Sequence, residues 1–151
     1  HAGEAGNAED VKTAVHMGAV RIGHGVRIAG NKEVIQLVKD KGVFLEMCPT
    51  SNRQTKAMEE MSAYPLKAFL EMGLKVTLNT DDPAIERTTL SREFRYMESL
   101  LNLTQEQKRL LLLNSVEAAF TSRNRKCKLK EQLFSEPYEN YGEPIIYKRI
   151  K

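Results

Sequence analysis

The chain has 151 residues, 41% hydrophobic and 28% charged, with a net charge of +3. That balance excludes wholesale disorder and leaves enough length for one real core. No apolar run approaches the roughly 20 residues of a membrane span, no signal peptide is visible, and Cys48 and Cys127 make no disulfide framework, so the composition points to a reducing, cytoplasmic setting without membrane contact.

From the N-terminus, Asn7 is placed to cap a helix with Glu9 and Asp10 in its first turn and Val11, Ala14, Val15 and Gly18 on one face. "AVRIGHG" (19–25) predicts a short strand ending in glycine-rich backbone. Asn31 then caps a helix with Val34, Ile35 and Val38 inward and Gly42 just past its end. "GVFLEMCP" (42–49) and "LKVTLNTDDP" (74–83) predict two further strands, each closed by a proline. Between them, Pro65 suits the first turn of a helix carrying Leu66, Phe69 and Leu70 and stopped by Gly73. Two helices follow, over 91–101 and 104–120, the second opened by Thr104 and Gln107 at capping-box spacing. Residues 121–151 do not continue the alternation. They read as an irregular basic tail with one short apolar piece at 145–147.

Regular β/α alternation with short apolar strands predicts a parallel sheet in an α/β fold. Three strands cannot close a barrel, and a fourth is expected ahead of His1. The chain, which opens "HAGEAGNAED", is accordingly expected to be the second half of something longer. The basic run 122–130 is expected to be a solvated face. It has no interleaved aromatics and no nucleic-acid module, so no nucleic-acid partner is expected.

The polar residues of interest share one location. His1 and Glu4 precede the first helix, His24 ends the first strand, Cys48–Asn52 follows the second, and Asp81 and Asp82 end the third. In parallel β/α folds the strand C-termini build the active site, so these residues are expected on one rim. Each also has a plainer reading. His24 suits a hydrogen-bonded structural histidine, the paired aspartates a turn or helix cap, Glu4 a first-turn acid, Cys48 a small buried hydrophobe and His16 a solvated position. As chemistry, His1 and Asp81 are good zinc ligands, Glu4 and Asp82 can do proton work, and His24 can hold or deprotonate water. A catalytic zinc takes three protein ligands, so the site needs others from outside the chain.

"HAGE" (1–4), "RIGHG" (21–25), "CPTSN" (48–52) and "LNTDDP" (78–83) occur in an order and spacing that resemble the adenosine deaminase family, over roughly residues 1–120. The "TSN…QT" stretch (50–55) looks more like its bacterial branch. The resemblance implies a zinc-dependent hydrolytic deaminase of purine metabolism, converting adenosine to inosine and ammonia on a (β/α)8 TIM barrel, of which residues 1–120 would be the C-terminal half. His1 and Asp81 would bind Zn2+, Glu4 would protonate purine N1, and His24 would orient or deprotonate the water that attacks C6. Asp82 would accept a hydrogen bond from substrate or water, and the backbone around Gly3 would lie against the purine, where a side chain would clash. The family's His-x-His pair, two more zinc ligands, does not occur in these 151 residues. The isolated chain is therefore expected to be inactive and to self-associate through its exposed half-barrel edges. Adenine or AMP deamination, or a non-catalytic half-barrel needing a partner half, are the alternatives.

Overall fold

Asn7 opens the first helix, α1 (Ala8–His16), as its sequence position requires. Its side chain accepts from the Glu9 N–H at 2.9 Å, and the Asp10 carboxylate accepts from the Asn7 N–H at 3.1 Å. The structure is a computed structural model that describes residues 1–135, so the apolar piece at 145–147 and the basic C-terminus lie outside the described residues. The remaining elements are β1 (Arg21–Gly23), α2 (Lys32–Lys41), β2 (Phe44–Met47), α3 (Pro49–Gln54), α4 (Leu66–Glu71), β3 (Lys75–Leu78), α5 (Pro83–Glu86), α6 (Leu90–Leu101), α7 (Gln105–Ala118) and α8 (Arg123–Ser135). Single 3-10 turns sit at Val26–Ile28 and Met61–Ala63.

The three strands form one parallel sheet in the order β1-β2-β3. Their register aligns Ile22, Leu45 and Val76 in one row, and all three are buried. Such a row, covered on both faces, is what an apolar parallel sheet needs. α1 brings Val11 and Val15 into the core, α2 brings Val34 and Val38, and α4 brings Leu66, Phe69 and Leu70. Gly42 ends α2 in a left-handed conformation (φ 62°), which glycine adopts without steric cost. α7 lies against β3, where the buried Asn114 amide donates to the Val76 carbonyl at 2.8 Å. Its capping box joins Thr104 and Gln107 as their spacing predicts.

The largest difference from the sequence expectation is in the tail. Residues 123–135 form a helix, not irregular chain. Lys, Arg, Glu, Gln and Leu are all good helix formers, a preference that the dense charge obscures. Leu129 and Leu133, four apart, line an apolar groove shared with Leu112 and Val116 of α7. Lys126 and Lys130 both pair with Glu117 of α7. Among the described residues no helix is long and apolar enough to cross a membrane.

Leu45 sits in the central strand with no exposed surface. Leu45→Ala is expected to cost about 2–5 kcal/mol of stability, read as a lower denaturant midpoint at unchanged slope.

Candidate active site

The rim is assembled by backbone before any side chain takes part. His24 extends the sheet one residue beyond β1, its N–H donating to the Glu46 carbonyl at 2.8 Å. On its other side Ala2 forms a parallel bridge with His24, through Ala2 N–H to Gly23 O (3.2 Å) and Gly25 N–H to Ala2 O (2.9 Å). This bridge docks the "HAGE" segment on the end of β1. Gly23 leaves the room it needs, because a Cβ there would stand 3.1 Å from Cδ2 of His1. Gly3 has φ +65°, and a Cβ on it would meet Val11 Cγ2 at 2.7 Å and Gly25 Cα at 3.2 Å. A side chain at Gly3 would therefore collide with the protein itself.

Three of the expected residues come together around the His24 ring, which is fully buried. Its Nε2 stands 3.1 Å from Nδ1 of His1, 3.2 Å from Oε2 of Glu4 and 3.8 Å from Oδ2 of Asp81. The two imidazoles meet edge to face, with centroids 4.7 Å apart. His1, Glu4 and His24 each offer a donor atom within 4.8 Å of the other two. His1, His24 and Asp81 also line one cavity of about 420 Å³, together with Gly23, Cys48 and Thr80.

Asp82 also serves as a helix cap. Its Oδ1 accepts from the N–H groups of Ala84 and Ile85, both at 3.2 Å, and so caps α5. The helix-cap reading of the aspartate pair is thus seen at Oδ1 of Asp82, with Oδ2 left over. A left-handed backbone at Asp81 (φ 64°) separates the two neighbours, and His24 has the same conformation (φ 72°). Positive φ at non-glycine residues is uncommon and costs of order 1–3 kcal/mol, and it concentrates at functional sites.

The residues that hold these groups in place come mainly from α3, a short helix that strand and helix periodicity does not announce. Ser51 donates to Oδ2 of Asp81 at 2.8 Å, and Thr55 donates to Oε1 of Glu4 at 3.1 Å. Asn52, buried, reaches Nδ1 of His24 at 3.0 Å through its amide nitrogen. The buried Tyr64 hydroxyl donates to Oδ1 of Asn52 at 2.7 Å. α3 is itself anchored by the buried Glu93 of α6, which accepts from the Thr50 N–H (3.1 Å) and the hydroxyls of Thr50 and Thr88. The strand-end position of "CPTSN" is the signal for Ser51 and Asn52. Tyr64 and Glu93 reach the site only through long-range folding.

The chain matches the family model described as adenosine deaminase over residues 1–136. It belongs to the adenosine deaminase family. An adenosine deaminase of Clostridium botulinum (strain Okra / Type B1) is 46% identical over 131 residues, 86% of this chain and 39% of that relative. One from Enterococcus faecalis (strain ATCC 700802 / V583) is 41% identical over 138 residues, 91% of this chain and 41% of the relative. The chain thus spans about two fifths of the length of these curated relatives. The crystal structure of an adenine deaminase from Arthrobacter aurescens superposes with a TM-score of 0.85 at 31% identity, over 89% of this chain and 41% of that one. The three β/α units are accordingly part of the deaminase family's (β/α)8 barrel, and the chain is a partial barrel.

Cys48 lines the same cavity, but burial pushes its thiol far above the usual range, and the negative charge of Asp81 and Glu86 adds to this. The thiolate is the reactive form, so Cys48 is expected to react far more slowly than an exposed thiol. Iodoacetamide applied to the native chain is expected to label the exposed Cys127 alone, and to label both cysteines in urea. Mass spectrometry showing equal labelling in the native chain would mean that the β2–α3 junction is open.

Proposed function

We propose that this chain carries part of the active site of a zinc-dependent enzyme that hydrolyses adenosine to inosine and ammonia. The observation that supports this best is the cluster of His1, Glu4, His24 and Asp81 on the rim of a parallel sheet. Imidazole nitrogen and carboxylate oxygen are the donor types that zinc takes, so the residues present suit that ion. His1 and Asp81 would hold it, with further ligands from a segment outside these 151 residues. Zinc, when bound, supplies Lewis-acid activation of water at neutral pH.

The chain's own groups do the rest. Glu4, steadied by Thr55, delivers a proton to purine N1 and makes C6 electrophilic. His24 orients the water or takes its proton as it adds to C6, and ammonia leaves. Asp82 contributes through Oδ2, since Oδ1 caps α5. The backbone around Gly3, in a left-handed conformation, lies against the purine. The small-molecule partner is a purine nucleoside, and the setting is cytoplasmic purine metabolism. A second reading, adenine as substrate, is favoured by the 31% identity to the Arthrobacter adenine deaminase. Adenosine is preferred because the relatives above 40% identity carry that name.

The test uses a complete protein containing this chain, with turnover of adenosine, adenine and AMP followed by absorbance and zinc content measured beside it. Adenosine is expected to be turned over fastest, and the 151-residue chain alone to be inactive. Glu4→Gln is expected to lower kcat about 10²–10⁴-fold with zinc retained. Asp81→Asn is expected to lose zinc and to recover part of its activity in excess metal. Turnover by Glu4→Gln within a fewfold of wild type, with zinc bound, would remove Glu4 as the proton donor.

A further inference from the structure

The two roles open to His24, orienting water or deprotonating it, need different protons on its ring. A neutral imidazole carries one proton, on Nδ1 or on Nε2, and only the other nitrogen has a lone pair to offer. The groups facing each nitrogen decide between the two forms.

On the Nδ1 side the partner is the Asn52 side chain, which can present either its NH2 or its oxygen. Tyr64 settles which. Burial drives its phenol well above the usual range, so the hydroxyl keeps its proton and needs an acceptor. Oδ1 of Asn52 supplies one at 2.7 Å. With the amide oxygen so engaged, the NH2 points at His24, and Nδ1 must accept. On the Nε2 side the Glu4 carboxylate oxygen stands at 3.2 Å and can only accept. Both sides of the ring therefore call for the same proton position.

We propose that Asn52, held by Tyr64, is a positioning residue that fixes the proton of His24 on Nε2. On the deaminase reading, which this inference deepens, His24 then offers the reacting water a hydrogen-bond donor and has no lone pair free on that side to take a proton. Its task is to orient the water, and the proton must go to a carboxylate of the same cluster. A histidine whose Nδ1 faced a carboxylate or carbonyl oxygen would have the opposite polarity.

The test reads the ring directly and needs no substrate, so its failure is distinguishable from failure of the deaminase reading. The 151-residue chain is labelled with ¹⁵N in its histidines, and long-range ¹H–¹⁵N correlations are recorded where imidazole is neutral. The His24 resonances are identified by their loss in His24→Gln. The native chain is expected to show a pyridine-like Nδ1 and a pyrrole-like Nε2. Free imidazole also favours this form, so the variants carry the weight. Asn52→Asp replaces the donor by a carboxylate of the same shape and is expected to exchange the two nitrogen types. Tyr64→Phe frees the amide to rotate and is expected to give two His24 species instead of one. A protonated Nδ1 in the native chain, or an unchanged pattern in Asn52→Asp, overturns the proposal. Where Asn52→Asp loses the native circular dichroism spectrum, Tyr64→Phe decides, and a pattern identical to the native one overturns the relay.

Discussion

Parallel pairing of three short strands is the constraint on which everything else rests. Parallel strands must all leave the sheet at the same edge, so His24, Cys48 and Asn79 begin their loops side by side. The Ala2–His24 bridge adds a fourth segment to that edge. Glu4 and Asp81 lie 77 positions apart in the chain, yet both come within 4 Å of one imidazole nitrogen without any long side chain reaching across.

Much of this was legible in the sequence, for a local reason. Asn7, Asn31 and Thr104 cap helices through side chains that satisfy N–H groups two or three residues on, so their effect is written in adjacent positions. The strands are short apolar runs bounded by Gly and Pro, which is again local. The convergence of His1, Glu4, His24 and Asp81 followed from strand direction alone.

What was not legible depends on contacts far apart in the chain or on backbone angles. The Thr55–Glu4 bond spans 51 residues and the Thr50–Glu93 pair 43, and no periodicity encodes either. Asp81 and Asp82 are chemically identical in the sequence, yet Asp81, with its positive φ, stands beside His24 while Oδ1 of Asp82 caps a helix. The tail misled for a different reason. Its charge suggested solvation, whereas Glu117 pairs with two of its lysines and two leucines four apart give it a face to bury.

The left-handed backbone at His24 and Asp81 sets stability against chemistry within single residues. Glycine would relieve the torsional strain at either position, because it has no Cβ to collide with its own carbonyl. The cost would be the imidazole or the carboxylate for which the strain is held. A search for thermostable forms of this chain that scored folding alone would be drawn toward Asp81, whose side chain is part-exposed, and its winners would lose a carboxylate from the rim, whereas loss of the fully buried His24 ring would leave a cavity.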